Sequence, residues 1–250
     1  IHANTISLNK QYGLRLLNST KNKIYHNNFI NNTKKNVEPP NNTSLLNTWD
    51  DMKEGNYWSD HLGTDKNKDG ISDNPYKIDK RTWLGIYSQD SYPLMAPFQQ
   101  FTIQIQNQTN PVQLISNSKA TNIQHLTKNE ENNSLIIKLT NTQKSGFTRI
   151  CIPHKLVNPP YTITINGANL IFNNTLHTNG THTWIYIAYS NQKNTSKITI
   201  THTPTLIPQP PIWTQWTFWG MLTLMIIAVS LLRLSFKSVS YTHLTLPTKA

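Results

Sequence analysis

Residues 1–37 read IHANTISLNKQYGLRLLNSTKNKIYHNNFINNTKKNV, and this stretch decides the fold of the N-terminal part of the chain. The unit Asn-x-Ile recurs at residues 4–6 and 22–24, and residues 27–29 are a variant of it. Short apolar-x-apolar pairs between asparagines and glycines are the pattern that stacked β-coils require. Apolar side chains point inward, while asparagines occupy the turns and can hydrogen-bond to those of neighbouring coils. The stretch therefore predicts stacked coils, with an irregular β-meander as the alternative.

The same stretch resembles the last rungs of the right-handed parallel β-helix in NosD-like repeat proteins of the carbohydrate-binding and sugar-hydrolase type. The resemblance implies that residues 1–48 are the end of a longer β-helix whose earlier coils precede Ile1. The NosD name carries an association with copper. The nine histidines are dispersed without an HxH or HxxxH pair, so no copper site is predicted.

The composition favours small β domains over a single large core, because only 36% of the 250 residues are hydrophobic. Cys151 is the single cysteine, which excludes an internal disulfide. The net charge is +11, yet the lysines are scattered singly and nine of the twelve acidic residues lie within residues 50–90. The sequence therefore predicts no nucleic-acid partner. A diffuse attraction to acidic polysaccharide or anionic surfaces is the alternative.

Residues 49–98 combine most of the acidic residues with many aromatics and several prolines. A stack of β-coils needs a cover over its last coil, so this segment is predicted to be an irregular capping module. Trp49, Trp58 and Trp83 are predicted to form its small core, and stacking on sugar rings is the alternative.

Residues 99–203 return to β patterning, with strict alternation in FTIQIQ, SLIIKLT, YTITING, TWIYIAY and SKITITH. The Asn-Gly pairs at residues 166–167 and 179–180 are typical of tight hairpins. The segment therefore predicts six to eight short strands in a small antiparallel β-sandwich or barrel.

The C-terminal part begins with PTLIPQPP at residues 204–211, a composition that predicts a stiff linker. Residues 212–237 are apolar up to a basic end and predict a transmembrane helix with the N-terminal part outside the cell and the C-terminus in the cytoplasm. Its predicted membrane-interface residues are Trp213, Trp216, Trp219, Arg233 and Lys237. Residues 238–250 resemble a translated sequencing-library adapter and are predicted to be non-native.

The loop GTDKNKDGISDNPY at residues 63–76 carries the pattern of a calcium site. Ca²⁺ takes six to eight oxygen ligands, and carboxylates at alternate positions of a tight loop can converge on one ion. The predicted ligands are Asp65, Asn67, Asp69, the backbone carbonyl of Ile71, and Asp73.

The loop departs from an EF-hand, because Tyr76 occupies the position of the final glutamate and no flanking helices are predicted. The missing ligands would be water or a remote carboxylate such as Asp60 or Asp79. The sequence predicts a structural Ca²⁺ ion, and an empty turn is the alternative.

Residues around this loop resemble a cassette that follows β-helix repeats in archaeal surface proteins. The matching motifs are GNYWSD at 55–60, DGI at 69–71 and YPLM at 92–95. The match fails at His61 and Ser72, where the family has Tyr and Gly. Residues 145–170 and 179–190 resemble the C-terminal region of the same proteins, so the resemblance implies an archaeal cell-surface protein.

Sequons for N-glycosylation are expected to be modified in part if the chain lies outside the cell. The candidate asparagines are Asn18, Asn31, Asn41, Asn107, Asn132, Asn173, Asn179 and Asn194.

Two functions remain open at this point. The first is a membrane-anchored surface protein without catalytic activity, whose β-helix binds an extracellular polysaccharide or a surface-protein partner. The second is a β-helix polysaccharide lyase or glycoside hydrolase whose active site lies upstream of Ile1.

Overall fold

The computed structural model describes residues 1–38, 47–78, 88–127, 133–140, 145–170, 174–190, 195–203 and 216–239. The chain divides into two compact units, Ile1–Pro204 and Thr205–Ala250. The first unit is built from β-strands, which confirms the prediction of a mainly β protein.

The N-terminal region consists of short parallel strands. These are β1 (Thr5–Ser7), β2 (Tyr12–Leu14), β3 (Asn28–Ile30), β4 (Lys35–Val37) and β5 (Tyr57–Trp58). The strands β1, β3 and β5 form one parallel sheet, and β2 pairs with β4 in a second. Stacking of successive segments is thereby confirmed, whereas a complete right-handed β-helix remains a prediction. The strand β5 belongs to the predicted capping module, so that module adds its own strand to the stack.

A small aromatic core lies inside these stacked segments. Trp58 stacks on Phe29 on one side and on Tyr76 on the other, with ring centroids 4.4 and 4.2 Å apart. Trp49 and Trp58 are each 1% exposed, which confirms that they are core residues; Trp83 lies outside the described residues. The buried members of this core are Ile24, Phe29, Val37, Trp49, Trp58 and Ile78.

The remainder of the capping module contains one antiparallel pair, β6 (Tyr76–Lys77) with β7 (Gln89–Asp90). Its other described residues form loops that are fixed by side-chain hydrogen bonds to the backbone, because few backbone groups find a ladder partner.

Ten antiparallel strands follow, among the described residues, where the sequence predicts six to eight. They are β8 (Phe98–Ile105), β9 (Gln108–Ser116), β10 (Lys119–Thr127), β11 (Asn133–Thr140), β12 (Ser145–Pro153), β13 (Tyr161–Ile165), β14 (Ala168–Asn169), β15 (Asn174–Thr178), β16 (His182–Ser190) and β17 (Thr195–His202). The extra strands include the two-residue β14 and the irregular β15, which are too short or too polar to show alternation.

The ten strands form two five-stranded sheets, in the orders β10-β11-β17-β13-β14 and β15-β16-β12-β9-β8. A core of aliphatic side chains from both sheets joins them into the predicted sandwich. At residues 166–167 both Asn and Gly have positive φ, of 52° and 85°, as a tight hairpin requires. Residues 179–180 lie in the connection between β15 and β16.

The outer face of the sheet that contains β12 is covered by the capping module. Phe98, Ile115 and Phe147 of this face pack with Leu94 and Tyr57 of the module in a third apolar cluster. In addition, the Asn28 amide donates to the Phe98 carbonyl and accepts from its N–H, at 2.8 and 2.7 Å. The module thus joins the stacked strands to the sandwich.

The second unit contains the helix α1 (Trp216–Val239). No helix within the described part of the chain is long and apolar enough to cross a membrane, so the prediction of a transmembrane anchor over residues 212–237 is not supported. The helix begins at Trp216 and ends at Val239, whereas the predicted segment runs from 212 to 237. The linker at 204–211 and residues 240–250 of the predicted tail lie outside the described residues.

Candidate functional site

The predicted calcium loop is curled around the side chain of Asp65. Its two carboxylate oxygens accept from the backbone N–H groups of Asp69 and Gly70, at 3.0 and 2.9 Å. The carboxylate of Asp69 accepts from the N–H of Ile71 and from the amide of Asn67, both at 2.8 Å. Gly70 has a φ of 80°, which a residue with a side chain rarely adopts.

The carboxylate of Asp73, the last predicted ligand, accepts a hydrogen bond from the backbone N–H of Lys66 at 3.0 Å. Within the described ranges, no three His, Cys, Asp or Glu residues are grouped so that they could hold a metal ion. A Ca²⁺ ion in this loop would therefore depend also on Asn67 and on the carbonyl of Ile71, and its presence stays a prediction.

Of the two remote carboxylates, Asp60 has other partners and Asp79 lies outside the described residues. Asp60 accepts from the amide of Asn36 at 2.7 Å and from the hydroxyl of Tyr76 at 3.1 Å. Burial and the Asp60 charge raise the pKa of Tyr76, so this hydroxyl stays protonated and continues to donate.

A ladder of asparagines runs through the stacked segments and ends on Asp90. The amide of Asn4 donates to Oδ1 of Asn27, which lies 23 residues later, at 3.0 Å. The amide of Asn27 donates to Oδ1 of Asn56 at 2.9 Å. The backbone N–H of Asn56 then donates to Oδ2 of Asp90 at 2.7 Å, and its amide does so at 3.3 Å.

The carboxylate of Asp90 is fully buried and surrounded by donors. It also accepts from the indole N–H of Trp58 at 2.9 Å and from the N–H of Tyr92 at 3.0 Å. Gly55 is required beside it, because a Cβ at this position would lie 1.8 Å from Oδ1 of Asp90. The motifs GNYWSD and DSYPLM therefore meet at this carboxylate. Burial raises its pKa from 3.8 to about 7, although the donors favour the charged form.

A second buried charged group connects the module to the sandwich. Glu54 accepts from Nη1 of Arg149 at 2.7 Å and lies 2.7 Å from Nε2 of His26. A carboxylate only accepts, so this histidine nitrogen carries the proton. Burial would raise the pKa of Glu54, but His26 and Arg149 outweigh it and lower the pKa from 4.5 to about 2. The His26 ring is stacked on Phe98 with centroids 4.2 Å apart.

A cavity of about 520 Å³ lies where the acidic loop meets the outer face of the sandwich. It is lined by Lys53, Glu54, Asn67, Asp69, Ile71, Arg149, Leu176, His177, Asn179 and Trp184. A second cavity of about 310 Å³ shares Lys53, Glu54 and Trp184 with it. Three of the predicted calcium ligands, Asn67, Asp69 and Ile71, therefore line a space larger than the loop itself.

Among the remaining candidate residues that the structure describes, only Asn179 lines the larger cavity. Among the sequons, Asn18, Asn31, Asn107 and Asn179 are exposed, while Asn41, Asn132, Asn173 and Asn194 lie outside the described residues. Among the predicted membrane-interface residues, Trp216, Trp219, Arg233 and Lys237 belong to α1, and Trp213 lies outside the described residues. Asp50 and Asp51 accept from nearby backbone N–H groups and stabilise turns.

The comparison with protein families supports a NosD-like protein. The family model described as periplasmic copper-binding protein (NosD) matches residues 1–63, which contain the parallel strands β1 to β5. No curated protein and no solved structure matches the chain. The archaeal cassette and the C-terminal resemblance stay predictions.

Sequence reasoning missed Asp90, Glu54 and Arg149 as central residues. Asp90 and Glu54 were counted only among the acidic residues of the module, and Arg149 lies in an alternating strand. The one usable signal was the motif DSYPLM at residues 90–95, which places Asp90 at a fixed distance from the buried residues Pro93 and Leu94.

Proposed function

We propose that the chain is part of an extracytoplasmic binding protein that is not itself catalytic. Its stacked parallel segments would present a surface to a glycan or a protein partner, and the capping module would close the stack. The observation that carries the proposal is the asparagine ladder that ends on Asp90, because it ties the stacked segments around Asn4, Asn27 and Asn56 to the capping module. The similarity of residues 1–63 to a periplasmic family supports a location outside the cytoplasm.

The proposal can be tested with the full chain and a panel of soluble extracellular polysaccharides. We expect binding, measured by affinity electrophoresis, without release of new reducing ends or unsaturated products. Release of such products would contradict the non-catalytic part. If the chain binds none of the polysaccharides, the proposal is restricted to a protein partner.

We further propose that a Ca²⁺ ion stiffens the loop formed by residues 65–73. The alternating Asp65, Asn67 and Asp69, together with Gly70 at positive φ, support this site. Each carboxylate already orders the loop through N–H groups, and an ion would add a positive charge among three negative ones. The family description refers to copper, and the described residues do not fit that metal, because no group of His or Cys side chains is placed to bind it.

Calorimetric titration of the full chain with CaCl₂ is expected to show one site with a Kd of about 0.1–1 mM, the range of extracellular modules. Saturating Ca²⁺ is then expected to stabilise the fold by about 1–2 kcal/mol relative to EGTA. Asp69→Ala should abolish the binding, because it removes a central ligand.

The matched control for this titration is Glu38→Gln, which removes a carboxylate outside the loop, and it should bind Ca²⁺ like the unmodified chain. Equal melting temperatures in Ca²⁺ and EGTA, with no heat of binding, would refute the site.

A further inference from the structure

The cavity between the acidic loop and the sandwich contains an uncovered aromatic platform. Trp184 is half-buried and lies on the outer face of β16, because its neighbours Thr183 and Ile185 point into the core. The rings of His177 and His182 lie beside it, with centroids 5.5 and 5.9 Å away. An indole in this position offers an apolar face next to polar groups, an arrangement that suits a ligand with both kinds of surface.

Polar groups of both signs surround this indole. Arg149 lines the cavity, and its buried Nε–H has no hydrogen-bond partner among the described residues. Lys53 supplies another donor, and Asp69 supplies acceptor oxygens. The cavity thus has two cations, Lys53 and Arg149, and two carboxylates, Glu54 and Asp69.

This balance of charges decides the class of ligand. An anion would meet the two carboxylates and a cation would meet the two basic groups, so either would be opposed by like charge. Sugar hydroxyls both donate and accept hydrogen bonds, so they can bind to the basic side chains and to the carboxylates at the same time. The volume of about 520 Å³ lies within the range of small-molecule sites.

We propose that this cavity binds a neutral pyranose unit of an oligosaccharide, with the sugar ring on Trp184 and its hydroxyls on Arg149 and Asp69. The inference rests on the proposed glycan-binding function and identifies this cavity as the site where the glycan binds. The capping module and the sandwich each contribute half of its lining residues, and only Lys53 and Glu54 lie within the residues that match the family model.

The test is calorimetric titration of the full chain, in EGTA so that no Ca²⁺ neutralises Asp69, with trisaccharides of glucose, galactose, mannose and N-acetylglucosamine, and with a galacturonate trisaccharide. We expect at least one neutral sugar to bind. Trp184→Ala should weaken that binding about tenfold or more, because the ring loses its platform. Trp184→Phe keeps an aromatic face and should retain part of the affinity. Tyr12→Ala removes an aromatic ring of β2 that does not line the cavity, so it should leave the affinity unchanged.

The outcomes separate this site from the general proposal. If no saccharide binds at millimolar concentration, glycan binding and the site are both overturned. If a folded Trp184→Ala variant binds the neutral sugar as tightly as the unmodified chain and the Trp184→Phe variant do, glycan binding stands and this site is overturned. Binding of the galacturonate trisaccharide alone would overturn the assignment of a neutral ligand.

Discussion

Replacement of Asp90 by alanine is expected to lower the free energy of unfolding of the first unit by about 3–5 kcal/mol. The substitution removes a fully buried carboxylate and leaves the N–H groups of Asn56, Trp58 and Tyr92 without an acceptor. A buried polar group without a partner costs about 1–3 kcal/mol, and part of this cost is relieved by water or relaxation. Urea denaturation of the full chain, monitored by tryptophan fluorescence, measures the change.

Two further variants make this prediction specific. Asp90→Asn keeps the shape of the side chain but presents an N–H₂ group to the donors around it. We therefore expect its loss of unfolding free energy to lie between zero and that of Asp90→Ala. The matched control is Asp73→Ala, measured in EGTA, because this carboxylate is exposed and its loss should change stability much less. A loss below about 1 kcal/mol for Asp90→Ala would contradict the role of this residue as the end of the ladder.

The titration of Asp90 gives the same prediction a pH dependence. Its pKa is raised from 3.8 to about 7 in the folded chain, so its contribution to stability is full below pH 3.8 and is lost as pH rises through 7. The unmodified chain should therefore lose stability between these two values. The Asp90→Asn variant has no titrating group at this position, so its stability should not decline between pH 3.8 and 7. A decline of the same size in Asp90→Asn would show that another group causes it.

Replacement of Glu54 by glutamine is expected to cost about 3–5 kcal/mol, because Arg149 then becomes a buried charge without a counter-ion. The double variant Glu54→Gln/Arg149→Met removes both charges and should recover most of that loss. Denaturation of the single and double variants yields the coupling free energy between the two side chains.

The exposed pair Arg15–Glu38 is the internal control for this cycle. It lies at the surface, where solvent screens the charges, so Glu38→Gln should have no measurable effect. The pKa of Glu54 is lowered from 4.5 to about 2, so its contribution is full above pH 4.5 and is lost as pH falls through 2. A double variant as unstable as Glu54→Gln alone would show that lost packing, and not the unpaired charge, causes the effect.

The elements that follow from local pattern could be predicted from the sequence. Alternation of apolar and polar residues is a property of each strand alone, so most strands of the sandwich and the hairpin at residues 166–167 were foreseen. The recurrence of Asn-x-Ile likewise indicated the stacked segments. The membrane anchor was predicted from hydropathy together with the tryptophans and basic residues at its ends, and no helix in the described part of the chain supports it.

The residues that organise the site could not be predicted in the same way. The role of Asp90 depends on its meeting Asn56, and that of Arg149 depends on its meeting Glu54 across the junction. These pairs are 34 and 95 positions apart in the sequence, and no local periodicity relates them. Trp184 was recognised only as part of an alternating strand, because alternation does not reveal what covers its outer face.

The asparagine ladder has a direction. Each side-chain amide donates to the next asparagine along the chain, and the final acceptor is the carboxyl group of Asp90. A shorter series through Asn9, Asn32 and Asn36 ends in the same manner on Asp60. The loss of one interior amide therefore breaks the series on both sides, because the side chain of Asn27 accepts from Asn4 and donates to Asn56.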